Sequence, residues 1–397
     1  MTSKKDRPVV PLVDLRAQQA EVAAEVRAGF DDVLARAAFV GGAEVAAFET
    51  AYAAFVGARH CVGVANGTDA LELALRAVGV AAGDAVVLPA NTFVATAEAV
   101  SRIGAVPHLV DVEDERLLVD PERVADAITP RTRAVVPVHL FGRVVPIGPL
   151  RALAAAHDLR IVEDAAQAQG ARRSDGRAGT LGDAAATSFY PGKNLGAAGD
   201  AGAVTTDDAE VAARVRLLGA HGSPRKYVHD VIGTNSRLDT LQAVVLGAKL
   251  TRLERWNEAR RTAADRYDAL LGDLVERAGL RLPGRDVEAL DAQHLYVVRV
   301  PGGAAVRDAV LTALRGSGVE AGVHYPTPVH LTGAYRHLGL GPGSFPVAER
   351  AAGEILSLPL FPQITTAQQE RVVAALAAAL PGHGVAAAPV AVGAHGP

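Results

Sequence analysis

Cysteine, methionine and tryptophan are almost missing from this chain of 397 residues, which contains one of each. The single cysteine, Cys61, excludes an internal disulfide and any metal site built from several thiolates. Aromatic residues make up only 4% of the chain, so small aliphatic side chains have to fill the core. The 49% hydrophobic content is ample for a large buried sheet.

An excess of charge of either sign is also missing. The chain has 40 basic and 44 acidic residues, a net charge of −4, and no long run of one sign. This balance argues against a nucleic-acid groove or a surface for anionic membranes. No apolar stretch is long enough to span a bilayer, and residues 1–7 lack the apolar core of a signal peptide. We therefore expect a cytoplasmic protein without nucleic-acid or membrane partners.

Two glycine signatures of nucleotide binding, the P-loop and the dinucleotide fingerprint, are missing as well. This absence disfavours a nicotinamide-dependent sugar-nucleotide dehydrogenase. In their place, a short strand at 62–65 meets the turn Asn66-Gly67-Thr68-Asp69, and a helix follows. Asp69 and Glu72 have the spacing of a capping box. Free N–H groups at such a helix N-terminus bind anions, although an ordinary capped helix has the same pattern.

Strand and helix patterns alternate over the first two thirds of the chain. Two helices between Leu15 and Phe55 come first. Apolar runs then predict strands at 85–89, 106–110, 134–138, 160–162, 184–189 and 202–205, and helices at 93–103, 121–128, 147–157 and 209–218. Near-continuous apolar strands separated by helices are typical of a mostly parallel sheet sandwiched by helices. The predicted fold class is α/β.

The pattern changes after Asp239. We predict one long helix at 241–271 and then a smaller α+β segment, with strands at 294–300 and 319–324 and helices at 307–315 and 366–380. This gives a leader at 1–14, a large domain at 15–250, a small C-terminal domain at 251–383, and a tail at 384–397. The tail is rich in glycine, alanine and proline and is expected to be disordered.

Lys193 is the residue most suggestive of chemistry. Pro191 and Gly192 end the preceding strand and leave Lys193 on a tight loop among aromatic and small residues. Poor solvation lowers the pKa of a lysine and makes its amine available for Schiff-base chemistry, although an isolated lysine on a glycine turn is usually a surface residue. A second strand ends at Glu163-Asp164. A reactive lysine with an acid at another strand end suggests pyridoxal phosphate (PLP).

The candidate segments fall at one edge of the predicted sheet. Ligands of parallel sheets bind beyond the carboxyl ends of the strands, where residues 67–68, 164–167 and 188–193 all fall. The residues themselves therefore predict a ligand site at this edge of the sheet.

Four motifs together resemble the DegT/DnrJ/StrS family of PLP-dependent sugar aminotransferases, in the aspartate-aminotransferase superfamily (PLP fold type I). They are Asn66-Gly67-Thr68-Asp69-Ala70-Leu71, Pro89-Ala90-Asn91-Thr92-Phe93-Val94-Ala95-Thr96, Glu163-Asp164-Ala165-Ala166-Gln167-Ala168 and Ser188-Phe189-Tyr190-Pro191-Gly192-Lys193-Asn194-Leu195-Gly196. The resemblance covers about residues 10–380 with the motifs in the expected order.

The resemblance implies a role for each matching position around the cofactor. Lys193 would form the Schiff base with PLP, and Asp164 would pair with the pyridinium nitrogen. Phe93 would stack on one face of the ring, unless it is a core phenylalanine, and Gln167 would approach the other face. The phosphate would be held by three further residues. They are Gly67, Thr68 and Ser188.

The resemblance also implies a homodimer with shared active sites, in which Asn235 reaches the phosphate of the other subunit. The family positions that line the sugar-nucleotide cleft correspond to Lys226, Tyr227, His324, Tyr325 and His330. A lone histidine is more often structural, and this alternative applies above all to His330. No metal is implied.

The implied reaction is transfer of an amino group from L-glutamate to C-3 of a dTDP-linked keto-6-deoxyhexose, in aminosugar and antibiotic biosynthesis. Asn194, directly after the lysine, could influence which ketone carbon approaches the cofactor. Alternatives are a C-4 sugar or cyclitol aminotransferase, and a PLP-binding regulatory protein without turnover. A PLP dehydratase of this family is disfavoured, because those enzymes carry histidine at the position of Lys193.

Overall fold

The computed structural model describes residues 9–381, and the predicted tail at 384–397 lies outside this range. The helices are α1 Leu15–Arg36, α2 Ala43–Val56, α3 Gly67–Ala77, α4 Val94–Arg102, α5 Pro121–Ala127, α6 Ile147–His157, α7 Ala209–Gly219, α8 Thr240–Leu250, α9 Leu253–Ala278, α10 Gly303–Gly316, α11 Pro346–Glu354 and α12 Thr366–Ala379. The strands are β1 His60–Val64, β2 Ala85–Pro89, β3 Val106–Val110, β4 Thr132–Val135, β5 Arg160–Asp164, β6 Arg172–Arg173, β7 Gly176–Arg177, β8 Ala184–Ser188, β9 Gly202–Thr206, β10 Ala289–Leu290, β11 Tyr296–Arg299 and β12 Ile355–Leu358.

The central sheet has seven strands in the order β1-β9-β8-β5-β4-β2-β3. β9 runs antiparallel to both of its neighbours, and the other pairs are parallel. Its core consists of strand residues such as Val87 and Leu88, packed with helix residues such as Leu73 and Leu75 of α3. The predicted α/β class with a mostly parallel, helix-covered sheet is confirmed.

A second core lies in the C-terminal part of the chain. Tyr267 and Leu271 of α9 pack there with Leu314 of α10 and with the antiparallel pair β11–β12. Within the described residues, the segment 319–324 is not a strand as predicted. Its backbone makes only isolated bridges, from Val319 to Val10 and from Gly322 to Ser357.

Val10, in the predicted leader at 1–14, is packed against the rest of the fold. Its side chain is 1% exposed in the second core, and its N–H donates to the carbonyl of Gly318 at 2.9 Å. A valine in an apolar cluster stabilises the fold by its burial, so the chain is anchored before α1 begins. The domain boundary near residue 250 stays a prediction.

The predicted long helix is divided in two. α8 ends at Leu250 and α9 begins at Leu253. α8 packs on α1 and α2, while α9 contributes to the second core. The break at Thr251 and Arg252 contains no glycine or proline, so local propensity does not explain it. The two helices have different packing partners, and these partners account for the break.

Among the described residues, no helix is both long enough and apolar enough to cross a membrane.

Candidate active site

A cavity of about 590 Å³ opens beyond the carboxyl ends of β1, β2, β5 and β8. This volume is within the usual range for small-molecule sites, about 300–1,000 Å³. The predicted site residues on its wall are Gly67, Thr68, Phe93, Asp164, Gln167, Ser188, Lys193 and Tyr325. The three sequence segments expected to converge at one sheet edge therefore do so. The topology places them there because β5 and β8 are parallel, and β1 runs antiparallel to β9 just as β8 does, so that all three strands end at the same edge.

The N-terminus of α3 forms one end of this cavity. Asn66 is the N-cap, since its Oδ1 accepts from the N–H of Asp69 at 2.8 Å. The predicted capping box on Asp69 was therefore wrong by three residues. A Cβ added at Gly67 would lie 2.6 Å from the Cβ of Ser188, so only glycine fits there. The close approach leaves α3's first-turn N–H groups beside the Ser188 hydroxyl, an arrangement suited to a phosphate.

Glu163 and Asp164 lie on opposite faces of β5, as expected for successive strand residues. Glu163 is fully buried and accepts hydrogen bonds from the N–H of Leu181 at 2.6 Å and from His139 Nε2 at 2.8 Å. Asp164 is on the cavity wall. Glu163 thus binds backbone N–H groups of the segment before β8, and Asp164 is the carboxylate available to a ligand.

Two threonines, which the sequence analysis did not single out, orient Asp164. Thr96 Oγ1 donates to Asp164 Oδ2 at 2.7 Å, and Thr92 Oγ1 lies 2.7 Å from Thr96 Oγ1. The N–H of Ala166 donates to the other carboxylate oxygen at 3.2 Å. Both oxygens of the Asp164 carboxylate are therefore held by hydrogen-bond donors. Thr92 lies just before α4 and Thr96 lies in its first turn, and both belong to the motif at 89–96.

Lys193 is held on a tight loop after β8. Its N–H donates to the carbonyl of Tyr190 at 2.8 Å, and a Cβ added at Gly196 would lie 2.3 Å from the carbonyl oxygen of Pro191. Burial lowers the pKa of Lys193 to about 8, while the negative charge of Asp164 acts in the opposite direction. The ammonium is therefore much easier to deprotonate than that of an exposed lysine.

Lys249 has the same pKa of about 8, also because of burial. Its Nζ donates to the carbonyl of Gly196 at 2.7 Å, and it is not among the cavity residues. A lowered lysine pKa alone therefore does not identify the reactive amine, and access to the cavity distinguishes Lys193.

Aromatic and amide groups form the opposite wall. The rings of Phe93 and Tyr325 are 5.0 Å apart between centroids, and Phe93, which lines the cavity, is 51% exposed. Gln167 donates to the Tyr325 hydroxyl at 3.1 Å and accepts from the N–H of Phe141 at 2.6 Å. Phe93 is thus not a core phenylalanine, and its ring is available for stacking.

Other predicted substrate residues lie away from this cavity within the single chain. His330 is completely buried, with its Nε2 3.0 Å from Glu349 Oε1 and its ring edge-on to Phe345. These contacts correct the prediction that His330 lines the cleft and assign it the structural alternative. The reason is a local carboxylate partner that the sequence pattern did not reveal.

His324 and the loop residues are placed differently. His324 Nδ1 is 2.8 Å from Ser357 Oγ, and burial lowers the pKa of His324 to about 4. Tyr227 is 83% exposed, with the Lys226 ammonium 5.0 Å from its ring centroid. Asn235 Oδ1 accepts from Arg237 at 3.0 Å. Lys226, Tyr227 and Asn235 are outside the cavity of their own chain.

Asn194 was expected to influence the approach of the ketone. It is 1% exposed and is not part of the cavity wall. Cavity residues that were not assigned a role from the sequence include Glu98, Arg102, Tyr190 and Asp200.

The model of the DegT/DnrJ/EryC1/StrS aminotransferase family matches residues 20–377. The chain belongs to this family. The erythromycin biosynthesis sensory transduction protein EryC1 of Saccharopolyspora erythraea is 49% identical over 369 residues, 93% of this chain and 99% of that protein. The dTDP-3-amino-3,4,6-trideoxy-alpha-D-glucose transaminase of Streptomyces venezuelae is 44% identical over 376 residues, 95% of this chain and 97% of that protein.

Solved structures of the family share this fold. The crystal structure of S. venezuelae DesV in complex with a ketimine intermediate is 44% identical, with a TM-score of 0.89 over 93% of this chain and 98% of that one. As a member of the DegT/DnrJ/EryC1/StrS family, the protein is an aminotransferase, and the family depends on PLP.

The residues of this chain fit that cofactor. The close contact of Gly67 with Ser188, which only glycine permits, brings the first-turn N–H groups of α3 next to the Ser188 hydroxyl, as a phosphate site requires. Asp164 provides a carboxylate with hydrogen-bond donors on both oxygens, and Lys193 an amine of lowered pKa, on the same cavity. These are the acidic and amine partners that PLP requires.

Proposed function

We propose that this enzyme transfers an amino group from L-glutamate to C-3 of a dTDP-linked 3-keto-6-deoxyhexose, in aminosugar and antibiotic biosynthesis. The observation that supports the chemistry best is the presence of Lys193 and Asp164 on one cavity wall. The similarity to a dTDP-3-amino-sugar transaminase over nearly the whole chain supports the substrate class and the C-3 position.

Six residues of the cavity would each have a task in this reaction. Gly67, Thr68 and Ser188 would hold the phosphate of PLP, and Phe93 would pack on its ring. When bound, PLP supplies an electron sink for the carbon that loses its proton, and it carries nitrogen between the two half-reactions.

Asp164 would keep a proton on the pyridine nitrogen, because an ionised carboxylate stabilises a positive charge beside it. Thr96 and Ala166 keep that carboxylate oriented through the contacts described above. Lys193 Nζ would accept the proton from Cα of the amino donor as a general base. It would then donate this proton to a carbon of the cofactor as a general acid. A lysine of pKa about 8 is well matched to this exchange near neutral pH.

The test is incubation of the holoenzyme with L-glutamate and either a 3-keto or a 4-keto dTDP-6-deoxyhexose. NMR then locates the new amine. We expect amination at C-3. Amination at C-4 alone would correct the position but keep the enzyme class, and turnover only of a free cyclitol ketone would reject the nucleotide sugar. A cofactor spectrum that glutamate does not change would favour the regulatory alternative.

The rate at which PLP attaches to the apoenzyme should depend on pH through Lys193. Its folded pKa of about 8 is below the ordinary value of 10.5, so below about pH 8 the unreactive ammonium predominates. The attachment rate, followed by absorbance, should rise roughly tenfold per pH unit up to that point and then level off. A rate that keeps rising to pH 10 would contradict a lowered pKa; a model amine such as free lysine is the control.

We further propose a homodimer in which Asn235 completes the phosphate site of the partner subunit. Asn235 is outside its own cavity, and the neighbouring Val231 and Ile232 are 45% and 89% exposed. Exposed apolar residues beside a polar one suit a contact with a second copy. The cytoplasmic location stays a prediction.

Mixing Lys193→Ala and Asn235→Ala chains tests this sharing. A hybrid dimer would contain one intact site, formed by Lys193 of one chain and Asn235 of the other. With random exchange, activity should recover to roughly a quarter of the wild-type level. Remixed Lys193→Ala chains alone are the control. If exchange is demonstrated by mass and no activity returns, the sites are not shared in this way.

A further inference from the structure

Asn194 follows the reactive lysine directly and uses its whole amide in buried contacts. Its Nδ2 donates to Asn257 Oδ1 at 2.9 Å and to the carbonyl of Ala292 at 2.8 Å. Its Oδ1 lies 3.0 Å from His294 Nδ1. The loop that carries Lys193 is thereby bound to α9 and to the segment that precedes β11, both remote from it in sequence.

The directions of these hydrogen bonds are fixed by a carbonyl at one end. Asn257 Nδ2 donates to the carbonyl of Gln169 at 2.8 Å, so the Asn257 oxygen faces Asn194. Asn194 must then present its NH₂ group to Asn257 and to Ala292, and its oxygen to His294. A carbonyl-type oxygen only accepts, so His294 Nδ1 carries the proton and Nε2 does not.

His294 is kept neutral as well as oriented. Burial places the pKa of His294 well below its ordinary value, and the positive charges of Lys193 and Arg260 oppose its protonation further. Arg260 approaches from α9, where its Nη1 is 3.4 Å from the carbonyl of His294. A neutral imidazole adds no positive charge to the surroundings of Lys193.

We propose that Asn194 and His294 are positioning residues for Lys193. His294 donates to Asn194, Asn194 donates to Asn257, and Asn257 donates to the carbonyl of Gln169. This series of hydrogen bonds keeps His294 as the Nδ1–H tautomer and holds the lysine loop in place. This role rests on the proposed function of Lys193. Neither residue lines the cavity, so both act through the placement of the lysine amine. Small displacements of a reacting group reduce rates steeply.

The first test is NMR of ¹⁵N-histidine-labelled holoenzyme, with His294 assigned by its loss in His294→Asn. Between about pH 6 and 8 we expect a neutral ring protonated on Nδ1. His139 is a control with the opposite tautomer, because its Nδ1 accepts from the N–H of Val145 at 3.1 Å and its Nε2 contacts Glu163. An Nε2–H signal, or titration of His294 in this range, would overturn the proposal.

The second test compares two variants of His294. In His294→Asn, the amide nitrogen takes the place of Nδ1 and still donates to Asn194, whereas His294→Leu lacks the donor. In the half-reaction with L-glutamate, His294→Asn should keep kcat within about threefold, and His294→Leu should lose up to about a hundredfold with little change in KM. If the leucine variant does not fold, His294→Gln, whose amide extends one carbon further, takes its place.

Each result bears on one proposal only. Equal losses in the asparagine and leucine variants would mean that His294 acts as an imidazole, and the positioning role would be wrong. An unchanged leucine variant, or a fall in Tm without a fall in kcat, would make the network structural alone. If the wild-type enzyme shows no half-reaction with glutamate, the proposed function fails, and the NMR experiment still decides the tautomer.

Discussion

Lys193→Ala should abolish amino transfer, with a loss in kcat of at least about 10²–10⁴-fold, because the general base is removed. The Schiff-base partner of the cofactor is lost at the same time. The measurement is single-turnover conversion with L-glutamate, followed by absorbance. Added methylamine should restore part of the rate if the missing group is the base.

Chemical labelling gives an independent test of the same residue. Borohydride reduction of the wild-type holoenzyme should fix the cofactor to Lys193, as identified by peptide mass. Lys249 is the matched comparison, since burial lowers its pKa to about 8 as well, but its ammonium is bound to the carbonyl of Gly196. A label on Lys249, or on any other lysine, would reject the assignment of Lys193 as the Schiff-base residue.

Asp164→Asn should have the second largest effect. The side chain keeps its size but loses the negative charge that would hold a proton on the pyridine nitrogen. Loss of one such preorganised electrostatic group costs about 10²–10³-fold in kcat. The amide would also present an NH₂ group toward Thr96 or Ala166, both of which now donate to this position.

Thr96→Val is the graded comparison for Asp164. It removes one hydrogen bond to the carboxylate and leaves the charge, so the cost should be about 1.5–3 kcal/mol in cofactor binding. Equilibrium dialysis of PLP measures this. A kcat of Asp164→Asn close to that of the wild type would show that the nitrogen is not paired with Asp164. A fall in the kcat of Thr96→Val as large as the fall in the kcat of Asp164→Asn would indicate a loss of structure instead.

Much of the fold could be predicted because its signals are local. The apolar runs of β2, β3 and β8 and the periodic helices between them appear within about two residues of their predicted bounds. The errors lie where distant packing decides. The segment 319–324 bridges to Val10 and Ser357 instead of forming a strand, and Val10 is buried in the second core.

Local sequence patterns alone were enough to predict four cavity residues at the sheet edge, namely Gly67, Asp164, Ser188 and Lys193. Each lies at the end of a strand or shortly after it in a short motif, and ligands of such sheets bind beyond the carboxyl ends of the strands. The tertiary structure decided how those residues are supported. Thr96 meets Asp164 from 68 positions away, Asn194 meets His294 from 100, and His330 faces Glu349 instead of the cavity. Such contacts depend on how layers of side chains pack, and no local pattern encodes that packing.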